Sequence, residues 1–190
     1  ALSERISFLR GIIVSKYNMA IIFQDEGKYK DALEKFLDAL KLSESSQNRN
    51  GEPAGDSLII QIYNSVANNF SLQERRDEGL LYYNKALEMA RKKGMKKFEA
   101  TILGNIGNFY YYKSYDFAND KWDTAGLNKT IKYFYDELKL HREQNDTSQM
   151  LSPLLNSTLV QIELGNTNGA LDTLWKLETI CLLRNDIGNL

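Results

Sequence analysis

The chain has 190 residues, 43% of them hydrophobic and 26% charged, with a formal net charge of −1 at pH 7. That balance supplies no global field to draw the chain to nucleic acid or an anionic membrane, and no apolar run reaches the roughly 18 residues that span a bilayer. Cys181 is the one cysteine and His141 the one histidine, which excludes an intrachain disulfide and a Cys/His zinc set. Pro53 and Pro153 are the only prolines, and long stretches repeat apolar residues at helical spacing without strand-like alternation. The expectation is one all-α domain, residues 1–190, large enough to bury a core.

In chain order, Ser3 to about Gln24 reads as one long helix, or two with a break near Gly11, with Ser3 as N-cap. Met19, Ala20 and Phe23 form its apolar stripe. Asp25-Glu26-Gly27-Lys28 ends it, because Gly27 can take the left-handed conformation that closes a helix. A partner helix from Lys28 or Tyr29 to about Ser43 carries Ala32, Leu33, Phe36, Ala39 and Leu40. The small residues Ala20, Ala32 and Ala39 let the two backbones approach while Phe23 and Phe36 fill the seam.

Glu44 to Gly55 reads as a polar loop, after which Asp56 or Ser57 caps a helix ending near Leu72. Its partner spans about Asp77 to Lys92 and closes on Arg91-Lys92-Lys93-Gly94, cations at a negative helix end. The next helix, about Lys96 to Tyr112, ends in Phe109-Tyr110-Tyr111-Tyr112. Tyr115 to Gly126 is an insertion expected at the surface, its Tyr115, Phe117 and Trp122 folding back on the neighbouring hairpin or meeting a partner. About Leu127 to Gln144 is helical again. Asp146 or Thr147 starts another helix, which tolerates Pro153 only in its first turn, and the last begins near Asn168.

The first hairpin, with Lys16, Met19, Ala20 and Phe23, then Gly27 and Tyr29, then Ala32, Phe36 and Ala39, resembles a tetratricopeptide repeat. The pattern recurs. A second copy holds Tyr63, Val66, Ala67 and Phe70, then Gly79, Tyr83, Ala86 and Leu87. A third holds Leu103, Ile106, Gly107 and Tyr110, then Thr130, Ile131, Phe134 and Leu138. A fourth holds Leu154, Thr158, Gly165, Ala170, Leu174 and Leu177, with Gln161 where an aromatic belongs. The resemblance implies a right-handed α-solenoid of about four hairpins, at approximately residues 13–44, 57–93, 96–145 and 147–183. The spacing between equivalent small residues exceeds the family unit of about 34 residues, as in long-repeat arrays of bacterial regulators. Both chain ends stop mid-pattern without a polar cap, so an excerpt of a longer protein is expected.

Chemistry is sparse. His141 reads as a solvated residue near a helix end, Cys181 as a packed thiol, and Asp116, Asp120 and Asp123 as an acidic loop lacking the glycine and glutamate of a calcium loop. No catalytic residue, cofactor or metal site is predicted. Asparagine inside helices, which propensity disfavours, is more informative. Asn18, Asn64, Asn68, Asn105, Asn108 and Asn156 fall on first helices, which in proteins of this resemblance line a concave groove where amides bind the backbone of an extended peptide. Tyr111 and Tyr112 would wall that groove. Val14, Tyr17, Gln61, Asn64 and Thr101 occupy the surface where some family members hold a C-terminal carboxylate with cations, so that mode is not expected. The expected role is a protein- or peptide-binding scaffold. The alternative is an input array of a bacterial sensor kinase or transcription regulator, with self-association open and neither nucleic acid nor membrane as partner. A reducing compartment fits one cysteine, and a bacterial periplasm fits a sensor-kinase input domain.

Overall fold

The computed structural model describes the backbone of residues 2–47 and 55–188 and the side chains of residues 7–45 and 55–182. The described residues form α1 (Leu2–Asp25), α2 (Tyr29–Gln47), α3 (Gly55–Leu72), α4 (Arg76–Lys92), α5 (Lys96–Lys113), β1 (Tyr115–Asp116), β2 (Lys121–Trp122), α6 (Thr124–Glu143), a 3-10 turn (Thr147–Met150), α7 (Leu151–Glu163) and α8 (Thr167–Gly188). They group into two compact units, Ala1–Phe98 and Glu99–Leu190.

Helices α1, α3, α4, α6 and α7 each close on a left-handed residue. Gly27, Glu74, Gly94, Asn145 and Gly165 all have positive φ, between 54° and 76°. The N–H one residue further on reaches back to the last full turn, as in Lys28 N to Phe23 O at 2.8 Å and Asn166 N to Gln161 O at 2.8 Å. This closure satisfies orphan carbonyls and reverses the chain. Glycine adopts it without strain, whereas Glu74 and Asn145 take it at a cost that the surrounding contacts offset.

In the first unit α1 packs on α2, α2 on α3, and α3 on α4. Its core joins Ile13, Ala20, Ala32, Phe36, Ala39, Ile59, Ile62, Val66 and Phe70, each nearly or fully buried. Gly11 lies in open space and does not interrupt α1. Met19, expected in the packed stripe, is instead 49% exposed, because the buried line of α1 runs through Ile13 and Ala20. Helix α2 continues to Gln47, so Glu44–Gln47 are helical and not loop. The rest of the expected loop, residues 48–54, and the predicted cap at Ser3 lie outside the described backbone or side chains.

In the second unit α6 packs on α7 and α7 on α8, while α5 meets α6 through glycine. A Cβ on Gly107 would sit 2.6 Å from Phe134 Cε1, and one on Gly104 would sit 2.6 Å from Glu137 Oε2. Both bulky side chains therefore rest on bare α5 backbone. Pro153 falls in the first turn of α7, where its missing N–H costs nothing. Gln161 is buried but satisfied: it donates to Tyr135 Oη at 2.6 Å and accepts from Thr173 Oγ1 at 3.1 Å. A polar bridge among α6, α7 and α8 thus stands where an aromatic was expected.

Candidate functional site

The predicted asparagines fall into two groups. Asn18 and Asn108 are exposed and Asn156 half-buried, and none of the three has a hydrogen-bond partner among the described residues. Asn64, Asn68 and Asn105 are half-buried. The Oδ1 of Asn68 accepts a hydrogen bond from the Tyr83 hydroxyl on α4, so this amide spends its acceptor within its own hairpin. Tyr83 is buried, which pushes its phenol up to about 12 and keeps it a donor at neutral pH. Phe134 stands on α6 where Tyr83 stands on α4 and has no hydroxyl to offer. That difference leaves Asn108, which follows Gly107 as Asn68 follows Ala67, open to solvent.

Another asparagine, absent from the predicted set, is structural. Asn69 is fully buried, donates to Gln24 Oε1 at 3.3 Å and accepts from Gln73 Nε2 at 2.7 Å, tying α3 to α1. Its adjacency to Asn68 was visible in sequence, but its direction into the core was not.

Tyr111 and Tyr112 belong to an aromatic stack in the second unit. Tyr111 packs on Trp122 with ring centroids 4.9 Å apart, and Trp122 on Tyr115 at 4.8 Å. Tyr112 meets Tyr111 edge-on at 5.8 Å and is 60% exposed. The insertion is a two-stranded hairpin in which Tyr115 pairs with Trp122 and Asp116 with Lys121. Trp122 and Tyr115 fold back as expected, whereas Phe117 touches Tyr115 at 4.7 Å and remains 82% exposed.

The three loop aspartates serve local structure. Asp116 accepts from the Ala118 and Asn119 backbone and from Asn119 Nδ2, and these bonds hold its carboxyl below the usual range. Asp120 accepts from the Tyr115 hydroxyl. Asp123 is the N-cap of α6, taking the N–H groups of Ala125 and Gly126 at 3.0 Å each. Among the described residues no group of three or more His, Cys, Asp or Glu side chains is placed to hold a metal ion. No described helix is long and apolar enough to cross a membrane.

Two expectations are corrected. His141 is buried, at 6% exposure, and not solvated. It lies on α6 beside Leu138, which packs with Met150 and Leu154 as the chain turns back through the 3-10 segment. Its Nε2 stands 3.7 Å from Glu137 Oε1. Burial lowers the histidine and raises Glu137 to about 8, so at neutral pH the contact is between two largely neutral groups rather than an ion pair. Cys181, expected to be packed, is exposed, because Leu177 and Ile180 take the places against the α6–α7 cluster.

No protein-family model matches the chain, and no curated protein matches it by sequence. Solved structures do. BtubC (BKLC) from P. vanneervenii superimposes with a TM-score of 0.73 at 18% identity, over 91% of this chain and 64% of that one. Aspartyl phosphate phosphatase F from Bacillus subtilis gives 0.76 at 16% identity, over 93% of this chain and 42% of that one. The Rap conjugation gene regulator of the plasmid pLS20, in complex with the Phr* peptide, gives 0.69 at 16% identity, over 93% and 43%. The chain thus spans between 42% and 64% of the length of these structures. At such identities the likeness concerns the fold alone, and the chain has the all-α fold of the tetratricopeptide-like helical-repeat proteins.

Proposed function

We propose that the chain is a binding scaffold that takes an extended protein segment or peptide along the first helices of its hairpins. The observation that carries this reading is the set of unpartnered amides at Asn18, Asn108 and Asn156, on first helices of a fold whose pLS20 representative is in complex with a peptide. An asparagine in a helix interior costs roughly 0.5 kcal/mol relative to alanine. An amide with neither acceptor nor donor engaged regains nothing from the fold. Facing an extended backbone, it supplies both hydrogen-bonding groups independently of side chain, leaving specificity to the surfaces between. Asn64 and Asn68 in the first unit and Asn105 in the second belong to the proposed first-helix surface of their own unit, Asn68 through its remaining N–H donors. Tyr111 and Tyr112 supply apolar contact.

Regulatory input is a second reading, favoured by the fold likeness to the pLS20 conjugation gene regulator. Peptide binding would then be the signal passed onward.

A phage-displayed library of random linear peptides, panned on the protein, tests the proposal. Binders should be recovered. Their retention should fall about tenfold on the Asn18→Ala, Asn108→Ala double variant with unchanged thermal stability. Full retention on that variant would contradict the role of the amides.

A further inference from the structure

We propose that the second unit bears a docking surface for a basic, apolar peptide segment, formed by the exposed face of α7 and the β1–β2 hairpin beside it. The inference rests on the peptide-binding reading above and names the chemistry of the peptide.

Leu155, Leu159 and Ile162 are 48%, 52% and 55% exposed. Their spacing puts them on one face of α7, while Leu154 and Val160 of the same helix are buried. They stand three before, one after and four after Thr158. At the same offsets from Gly107, helix α5 carries Gly104, Asn108 and Tyr111. Of these three only Asn108 is exposed, Gly104 lying under Glu137 and Tyr111 against Trp122, whereas all three α7 side chains are exposed and apolar. The core contacts of α7 are made by Leu154 and Val160 and not by these three side chains.

The hairpin packs on the opposite, buried side of α7, and Glu163, one helical turn from Leu159, links it to the exposed face. Val160 and Leu164 pack in one cluster with Tyr111 and Trp122. Tyr111 is held above its usual range by burial and next by the Glu163 carboxylate. Tyr115 is held up first by its bond to Asp120, with Glu163 contributing. Glu163 therefore lies close to the aromatic stack. The stack is packed ring on ring, which fixes the hairpin and leaves the Phe117 and Tyr112 rings standing outward.

Charge selects the occupant. Asp116, Asp120 and Glu163 are exposed, and none pairs with a cation among the described residues. Lys121, opposite Asp116 in the ladder, is the one lysine of the hairpin. A basic side chain would gain both from this carboxylate excess and from an outward aromatic face, arginine most of all because its planar guanidinium stacks as well as pairs. An acidic segment would meet like charge at the same rim. Leucine-like neighbours in the peptide would cover Leu155, Leu159 and Ile162.

The test uses three labelled synthetic peptides: an alternating Arg/Leu peptide, its counterpart with Glu for Arg, and its counterpart with Ser for Leu. Fluorescence anisotropy against the 190-residue chain should rank the Arg/Leu peptide at least about tenfold tighter than either counterpart. Glu163→Lys and Leu159→Ser, both exposed positions, should each erase most of that preference. In a Trp175→Phe background Trp122 is the sole tryptophan, and its emission should shift on saturation with the Arg/Leu peptide. Equal or tighter binding of the acidic peptide, no binding of any of the three, or an unmoved Trp122 would overturn the inference. The amide reading is decided separately, by the library retention of the Asn18→Ala, Asn108→Ala variant.

Discussion

Hairpins α3–α4 and α5–α6 start from one pattern and resolve the same helix crossing in opposite ways. In α3–α4 the glycine is on the second helix: a Cβ on Gly79 would lie 2.8 Å from Ala67 O, and the buried Tyr83 sends its hydroxyl to Asn68. In α5–α6 the glycines are on the first helix. Phe134 lies on Gly107, and Glu137, at the place of Ala86 in α4, lies on Gly104. One hydroxyl, present in Tyr83 and absent in Phe134, decides whether the equivalent asparagine is partly spent inside the hairpin or left at the surface. The availability of a first-helix amide is thus set by the partner helix and not by the asparagine itself.

The largest expected effect comes from removing the α5 glycine. Gly107→Leu drives side-chain atoms into Phe134 and should cost about 3 kcal/mol, the upper end for overpacking, read as a lowered urea midpoint. Ala67→Leu and Ala32→Leu should also lower it, both sites being fully buried.

Glu137 gives the next effect, through pH. The unfolded carboxyl loses its proton near 4.5 and the folded one near 8, so the folded state binds more protons between those values and stability falls as pH rises. His141 acts oppositely: burial lowers it, so stability falls as pH drops below 6.5. Above 6.5 only the Glu137 slope remains. Between there and pH 8 the protein should lose on the order of 2 kcal/mol, and Glu137→Gln should flatten the curve in chemical denaturation.

Smaller effects sharpen the comparison of the two asparagines. Asn68→Ala should cost about 1 kcal/mol by taking the acceptor from the buried Tyr83 hydroxyl. Asn108→Ala should be neutral, or stabilise by roughly 0.5 kcal/mol through helix propensity. Equal costs at the two sites in thermal melts would break the distinction.

Much of the fold was legible in the chain. Gly27, Gly94 and Gly165 marked turns by composition, and the small residues Ala20, Ala67 and Gly107 marked the first-helix crossings. Glu74 and Asn145 fall in turns expected between helices, but the left-handed backbone of Glu74 was not readable, since a glutamate takes positive φ only where its surroundings hold it there. His141 looked solvated because the cover over α6 comes from a segment that folds back from beyond the helix end. Glu137 could not be placed in the core from its own identity, because its room is supplied by Gly104 on another helix. At the candidate site, sequence indicated six asparagines on first helices but could not separate Asn68 from Asn108. The apolar face of α7 was hidden for a related reason: Leu155, Leu159 and Ile162 look like core until Leu154 and Val160 are seen to occupy it.

The most direct measurement is two-dimensional NMR of the side-chain amide groups, titrated with a peptide recovered from the library. We expect the Asn18 and Asn108 amide signals to shift in step with binding while that of the buried Asn69 stays in place. Movement of Asn69 with Asn18 and Asn108 unchanged would mean that the peptide perturbs the packing between α1 and α3 and does not bind at the exposed first-helix amides.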